Sequence, residues 1–519
     1  MKTDRTHNAA AGLIDVNLRA DRGDKAAFID PQRTLSYSKL DEASRRMANL
    51  LRAHGLERED RIALLAHDTV DWPVMFLGAI RAGVVPIALN TLLPTAQYAY
   101  MLCDSRAQAL FVSAALLPSV EPLFNTLADL HNVFVLDSQS NSQGSSEENE
   151  HIDFASALAA QPSDFDTVAT CRDEVAFWLY SSGSTGAPKG TQHVHSSMMD
   201  TALLYGRDVL GLREDDVVLS AAKLFFAYGL GNALSFPMAV GATTILWPAR
   251  PTPAEMFNLL SQHQPSVFYG VPTLYAAMLA EPDCGPHRSS AKLRLCVSAG
   301  EALPKDVGER WQHLFGVDVI DGVGSTEMLH IYLSNAPGNV VYGTSGIAVP
   351  GYDVRLVDEH GSDVGVDEVG ELLVRGTSAA LGYWNQLAKS RQTFVGEWTR
   401  TGDKYTRNEE SRYVYCGRTD DMFKVSGIWV SPFEVESALI THACVLEAAV
   451  VPFEDDDGLT KPRAIVVLTE GSNADSLFEE LRDHVQNAIG TWKYPRRIDF
   501  VDSLPKTATG KIQRFKLRT

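Results

Sequence analysis

The sequence predicts a large N-terminal α/β domain of layered, mostly parallel sheets with a β-rich subdomain, followed by a small α+β C-terminal domain. Three observations predict it. From about Leu35 to Leu333, short apolar runs alternate with helix-like segments, the pattern of strands joined by crossover helices. After Gly343 the runs become short strands separated by turns. Beyond Gly417 lies a unit of about 100 residues, an ordinary domain size. With 519 residues and 45% hydrophobic composition, the chain can bury more than one core.

Taken in order, Arg61–Ala66, Ser266–Tyr269, Leu293–Val297 and Val317–Ile320 read as buried strands. The polar stretch Asp137–Glu150 has no apolar anchor and reads as a mobile loop. Tyr352–Val357 and Glu371–Arg375, flanking the turn residues Asp358–Gly361, read as strands of the β-rich part. A strand at Tyr413–Cys416 ends in the polar break Gly417–Asp421, which divides the chain into domains 1–417 and 418–519. Ser431–Glu434 has a capping-box pattern with Pro432 at the first helical position. Strands at Val445–Val451 and Ala464–Leu468 and a helix at Ser476–Ile489 complete the second domain. There is no internal repeat and no coiled-coil heptad pattern.

A net charge of −19 argues against a nucleic-acid-binding surface, which needs clustered Lys and Arg. Between Lys493 and Thr519, however, eight Lys and Arg residues face only Asp499 and Asp502, a local field suited to a polyanionic ligand. The six cysteines are scattered without metal-ligand or redox spacing, which fits a reducing cytosol. Met1–His7 lacks the apolar core of a signal peptide, and no apolar run reaches the roughly 18–20 residues that span a bilayer. The expectation is a cytoplasmic protein with no membrane or nucleic-acid partner.

Five segments carry chemistry. In Tyr180–Gly190, the hydroxyls of Ser181, Ser182, Ser184 and Thr185 lie among Gly183, Gly186 and Gly190, with one cation, Lys189. The apolar run Val175–Tyr180 reads as the buried strand that feeds this loop. Such loops bring successive N–H groups around an anion. The nucleotide-triphosphatase pattern of Gly-Lys followed by Ser or Thr fails, because Lys189 lies between Pro188 and Gly190. The second segment is Gly322–Glu327, just after a strand that ends at Ile320–Asp321. Here Thr326 is a candidate phosphate contact and Glu327 a candidate Mg²⁺ ligand, since Mg²⁺ takes one or two carboxylates beside phosphates. The third is Thr401-Gly402-Asp403 with Arg418. The fourth is Gly417–Gly427, and the fifth is Pro505–Arg514 with Lys511 between Gly510 and Ile512.

Together, in this order, these segments resemble the adenylate-forming superfamily of acyl-CoA synthetases, luciferases and peptide-synthetase adenylation domains, from about Leu35 to Arg514. The resemblance implies ATP, Mg²⁺ and coenzyme A as cofactors. It implies ATP contacts at Ser181, Ser182, Gly183, Ser184, Thr185, Gly186, Lys189, Gly300, Glu301, Ala302, Asp321, Gly322, Thr326, Asp403 and Arg418. Asp403 would take both ribose hydroxyls, a pairing open to a carboxylate. Lys511, Thr185, Lys189 and Glu327 are the implied catalytic residues, with Glu327 on the metal. A mobile C-terminal domain would turn about a hinge at Asp420, and coenzyme A would pass Lys424, Ser426 and Gly427. Family members are often homodimers.

Leu224–Asn232 and Glu327–Ile331 resemble the corresponding runs of benzoate-CoA and hydroxybenzoate-CoA ligases. Where many superfamily members carry an aromatic-His pair, this run has no histidine, and Phe226 takes that place. The implied aryl pocket is Phe226, Ala227, Tyr228, Gly324, His330 and Ile331, with two aromatic rings to clasp a flat substrate and Ala227 leaving room for it. Tyr228 or His330 would meet a ring hydroxyl. The implied reaction is ATP-dependent ligation of an aryl carboxylate to coenzyme A. Three alternatives stay open: loading of a carrier protein, a medium-chain fatty acid as substrate, and a nucleotide-binding regulator with a dead site.

Overall fold

Two large mixed sheets carry the N-terminal part of the chain. The computed structural model describes residues 6–137, 151–183, 186–419, 421–425, 428–455, 459–469, 477–490, 493–506 and 512–518, and for Ser182, Lys424, Ile428 and Trp429 the backbone alone. The first sheet has eight strands in the order Gly382–Tyr383, Gly186–Val194, Val175–Gly183, Val85–Ala88, Arg61–Leu65, Ala109–Ser113, Asn132–Leu136 and Ile152–Asp153. From Val175–Gly183 onward every pair is parallel. The strand Arg61–Leu65 shows why the run is apolar throughout. Ile62 and Leu64 enter one core with Met47 and Leu51, whereas Ala63 and Leu65 enter another with Tyr98 and Met101. A strand buried on both faces has no polar side to show.

The second sheet has nine strands, and its parallel centre runs Val319–Gly324, Leu295–Ser298, Val267–Gly270, Val217–Ser220, Thr243–Ile245, Ala26–Ile29. Three expected strands begin one or two residues later than the apolar runs suggest. Ser266 lies just outside its strand because its hydroxyl accepts from Val217 N and donates to Asp216. Gly316, at φ +69°, ends the helix Lys305–Phe315, so the chain turns before Val319 starts its strand.

A five-stranded antiparallel sheet holds the β-rich part, including Asp353–Val357, Gly370–Arg375, Trp398–Arg407 and Tyr413–Arg418. The strand expected to stop at Cys416 runs on to Arg418, whose register partner is Asp403. Further on, Val445–Glu454, Thr460–Leu468 and Arg497–Phe500 form a three-stranded sheet that shares a core with the helices Pro432–Ile440 and Leu477–Ile489. Its first two strands are longer than expected because they pair as one hairpin down to Glu454↔Thr460. Ser431 caps its helix by accepting from Glu434 N at 3.1 Å. The other half of the capping box is not made, because the Glu434 carboxylate pairs with Lys493 at 2.6 Å. The layered α/β expectation with a small α+β C-terminal region holds. No helix among the described residues is long and apolar enough to cross a membrane. Most of the expected Asp137–Glu150 loop lies outside the described residues.

Candidate active site

The first motif is a β-hairpin. Val175–Gly183 continues past Tyr180, turns, and returns as Gly186–Val194, with Ser181 opposite Lys189 and Gly183 opposite Gly186. Ser184 and Thr185, at its tip, lie outside the described residues, as do Asp420, Ser426, Gly427 and Lys511. Gly190 passes so close to Trp178, Trp384 and Tyr180 that a Cβ would lie 3.4–3.5 Å from each ring or side chain.

Lys189 leaves this hairpin toward Glu327, and Tyr383 joins them. The Lys189 ammonium is 3.8 Å from Glu327 Oε1, donates to Tyr383 Oη at 3.2 Å, and lies 4.3 Å from the centre of that ring. Tyr383 Oη donates to Glu327 Oε1 at 2.7 Å. Burial lowers the pKa of the Lys189 ammonium, Glu327 opposes that shift, and Lys389 and Arg418 add to it. Tyr383 was not among the sequence-derived site residues. It is brought in by the two-residue strand Gly382–Tyr383, which pairs with Thr191–Gln192 beside Lys189.

Glu327 is fixed by its backbone too. The second motif runs strand–turn–strand: Val319–Gly324 turns through Ser325–His330 into the antiparallel strand Ile331–Ser334. Leu329 sits at φ +65°, a conformation uncommon for a bulky residue and a mark of imposed geometry. Ala380 N donates to Glu327 O at 2.8 Å, and the Ser378 hydroxyl to Met328 O at 2.8 Å. His193, on the strand that carries Lys189, donates Nε2–H to Thr326 O at 2.8 Å. Burial lowers the His193 pKa to about 4.

Asp403 and Arg418 face each other across two strands and pair at 2.9 Å. Arg418 also donates to Thr401 O at 3.0 Å, and Thr401 Oγ1 accepts from Asp403 N at 3.1 Å. The Asp403 charge, first among several causes, raises the Arg418 pKa, and Glu327 contributes to the same shift. Arg418 therefore shares a field with both Lys189 and Glu327. Asp321 is buried where its strand stops pairing with Leu295–Ser298, and burial raises its carboxyl pKa well above the usual range. Gly300–Ala302 follows the neighbouring strand Leu295–Ser298, paired in register as Ser298↔Asp321. Gly300 is exposed at φ +96°, and Glu301 is exposed as well.

The aryl candidates also converge. Ala227–Leu230 is one short helix, with Phe226 at its N-cap and packed on Phe225 at 4.4 Å between ring centres. The Tyr228 hydroxyl lies 3.2 Å from Gly270 O and 3.1 Å from Val297 O, at the ends of two parallel strands. Its one proton is directed at these main-chain carbonyls. His330 is 3% exposed, with Nε2 3.3 Å from Tyr228 O and 3.2 Å from Asn232 Oδ1. A carbonyl can only accept, so Nε2 carries the proton. Burial lowers the His330 pKa to about 3, which keeps the ring neutral at neutral pH. Nδ1 is then an acceptor, with no partner among the described residues. Gly324 runs against His330, where a Cβ would lie 2.4 Å from its carbonyl oxygen, and Ile331 is buried as the register partner of Gly324.

In the C-terminal part, Phe423–Val425 and Ile428–Val430 pair as a hairpin that includes the backbone of Lys424. The segment that carries Lys511 is closed at its base by the Lys506↔Ile512 bridge and by Gln513 N donating to Pro505 O at 2.8 Å. Arg514 anchors it, with Nη2 2.6 Å from Glu436.

A largely buried ammonium, a carboxylate and an Asp–Arg pair suit the capture and activation of a nucleotide. The chain belongs to the AMP-binding enzyme family: the AMP-binding enzyme domain matches residues 16–384 and the AMP-binding enzyme C-terminal domain residues 434–511. It is 54% identical over 516 residues to the 4-hydroxybenzoate–CoA/benzoate–CoA ligase of Rhodopseudomonas palustris, covering 99% of this chain and 94% of that one. It is 55% identical over 522 residues to the benzoate–CoA ligase of Thauera aromatica, covering 100% and 97%. Among solved structures, the benzoate CoA ligase of Burkholderia xenovorans LB400 superposes with a TM-score of 0.90 at 49% identity, covering 99% of this chain and 100% of that one.

Proposed function

We propose that the protein is an ATP-dependent aryl-CoA ligase that activates benzoate or a substituted benzoate as the aryl adenylate and transfers it to coenzyme A. The reading is carried by full-length similarity, at 54% and 55% identity, to two ligases named for benzoate. The Lys189–Tyr383–Glu327 cluster and the Asp403–Arg418 pair give it a chemical basis.

Mg²⁺ fits this site. Glu327 Oε2 accepts no hydrogen bond from the described residues, and among them no group of three or more His, Cys, Asp or Glu gathers to hold a metal. One free carboxylate oxygen suits an ion held mainly by phosphates and water. When bound, Mg²⁺ would neutralise phosphate charge. Lys189 would hold the polyphosphate, and Asp403 the ribose, with Arg418 fixing that carboxylate. A neutral pocket of Phe226, Ala227, Tyr228 and His330 would admit the flat ring and leave the ionised aryl carboxylate facing the α-phosphate. Attack there forms the mixed anhydride and expels pyrophosphate, with Lys511 stabilising the charge that develops. Residues 418–519 would then turn about Asp420 and bring the hairpin at Lys424, Ser426 and Gly427 to the site. The coenzyme A thiol loses its proton, its sulfur attacks the anhydride carbonyl, and AMP leaves.

The same proposal places the enzyme in the cytoplasm, supported by six cysteines that form no disulfide. A homodimer is proposed from the family resemblance alone. The test is AMP release with ATP, Mg²⁺ and coenzyme A across benzoate, its hydroxy, amino and halo derivatives, cinnamate and octanoate. Preference for one benzoate is expected. Preference for octanoate would remove the aryl assignment.

A further inference from the structure

Tyr383 touches both proposed working charges. Its hydroxyl closes a triangle with them, accepting from the Lys189 ammonium at 3.2 Å and donating to Glu327 Oε1 at 2.7 Å, so it occupies a hydrogen-bonding position on each. The two charges stand 3.8 Å apart, beyond the roughly 2.7–2.9 Å of a direct charge-assisted bond. Both side chains are largely buried, at 18% and 16% exposure, so solvent screens them weakly and a direct pair would form readily. A hydroxyl is suited to hold them off, because one oxygen both accepts and donates.

Tyr383 is itself held rigidly. It is 5% exposed. It pairs with Thr191, two residues from Lys189 on the same strand. Its N–H donates to Ser390 Oγ at 3.0 Å, and its ring packs 5.4 Å from Phe394. The stretch just before it fixes the Glu327 backbone through Ala380 N. The backbones beneath all three side chains are therefore held in place, and the Tyr383 hydroxyl is the group that contacts both charges.

We propose that Tyr383 is a positioning residue that keeps Lys189 and Glu327 from pairing with each other, leaving the ammonium for polyphosphate and the carboxylate for the divalent cation. This rests on the roles given to Lys189 and Glu327 under the proposed function. In Tyr383→Phe the ring face stays against Lys189 but the hydroxyl is gone, and the ammonium closes on Glu327. Mg²⁺ and nucleotide must then break that pair to bind.

The experiment uses the full chain and two readouts: the Mg²⁺ concentration for half-maximal AMP release, and calorimetric binding of a non-hydrolysable ATP analogue with Mg²⁺. Loss of a hydrogen bond to a charged group predicts that Tyr383→Phe raises both by about ten- to a hundredfold, with benzoate KM unchanged. Ser390→Ala, which loosens Tyr383 without touching either charge, shifts both the same way by less and stands in should Tyr383→Phe not fold. A wild-type Mg²⁺ requirement in these variants, or a loss of thermal stability and kcat without a shift in Mg²⁺, overturns the inference. Glu327→Gln separates the two readings. If it leaves the Mg²⁺ requirement unchanged, the metal role of Glu327 fails and takes the inference with it. If it raises the requirement while Tyr383→Phe does not, only the inference falls.

Discussion

Gly231→Ala tests the aryl pocket by a single methyl group. A Cβ at Gly231 would lie 2.3 Å from His330 Cδ2, 2.5 Å from Nε2 and 3.0 Å from Phe236 Cζ. Carbon contacts are comfortable at about 3.5–4.0 Å, so the imidazole must retreat by more than about 1 Å. It has little room to do so, with Phe236 4.4 Å, Tyr228 5.6 Å and Tyr205 5.7 Å away between ring centres. Retreat also stretches the 3.2 Å and 3.3 Å contacts of Nε2 past hydrogen-bonding range. Overpacking costs about 1–3 kcal/mol and the lost bond about 1 kcal/mol. Gly231 has a helical φ and lies within a helix, so alanine returns up to about 1 kcal/mol of propensity. The net, roughly 1–3 kcal/mol, falls on the wall of the proposed aryl site and predicts a fall in benzoate kcat/KM of about five- to a hundredfold. The assay is AMP release against benzoate at saturating ATP, and against ATP at saturating benzoate, where ATP KM should stay within about twofold. In the Gly231→Ala, His330→Ala double variant the clash with the imidazole is gone and only the 3.0 Å contact with Phe236 remains, so the two effects should be clearly non-additive. Wild-type benzoate kcat/KM with unchanged thermal stability would show that His330 does not sit where this argument needs it.

Other expectations follow from the same geometry. Lys511→Ala should greatly slow formation of the aryl adenylate while sparing thioester formation from supplied adenylate; equal loss in both half-reactions would contradict the two-conformation scheme. Asp403→Asn removes the buried carboxylate that faces Arg418 and should raise ATP KM by about ten- to a hundredfold with benzoate KM little changed; an unchanged ATP KM would remove Asp403 from the nucleotide site. His193 and His330 have folded pKa values of about 4 and about 3, below the usual value of about 6.5, so between those limits the unfolded chain binds protons the folded one does not. The stability they confer is complete above about pH 6.5 and declines as pH falls below it, by about 1.4 kcal/mol per pH unit for each ring, as urea unfolding across that range can measure. His193→Gln should make the decline shallower, and an unaltered slope would mean that His193 is charged in the folded protein.

Much of this was legible before any coordinates, because the motifs are local. A glycine-rich loop, a Thr-Glu pair and a Thr-Gly-Asp run each point to their chemistry within a few residues, although the structure makes the first a hairpin and sets the third inside the strand Trp398–Arg407. The fold class was legible because strands buried on both faces must be apolar throughout, as Ile62 to Leu65 are. Strand ends were less so, since they depend on partners: Arg418 extends its strand because Asp403 lies opposite. Tyr383 was not legible. It meets Glu327 across 56 residues and Lys189 across 194, separations over which no local pattern in the sequence speaks. His193 was missed for the same reason, since its bond to Thr326 spans 133 residues. Asn232 was inside the quoted aryl run, yet only the packing reveals that its amide sits at His330.

The path of the backbone after Tyr180 explains why the proposed site needs so many placed side chains. In proteins whose glycine-rich loop opens a helix, the helix N-terminus supplies about half a positive charge to a bound phosphate. Here the loop folds back as a strand, Gly183 opposite Gly186, and no helix begins there. Strand dipoles alternate and leave little net field. Backbone N–H groups of a turn can still face an anion, but a full positive charge for a polyphosphate must come from side chains, and Lys189 is the lysine carried on this hairpin. Burial already works against that ammonium, and pairing with Glu327 would consume what charge it offers. Separation of the two charges is therefore a condition for this architecture to bind a nucleotide tightly, and it follows from replacing a helix terminus by a hairpin.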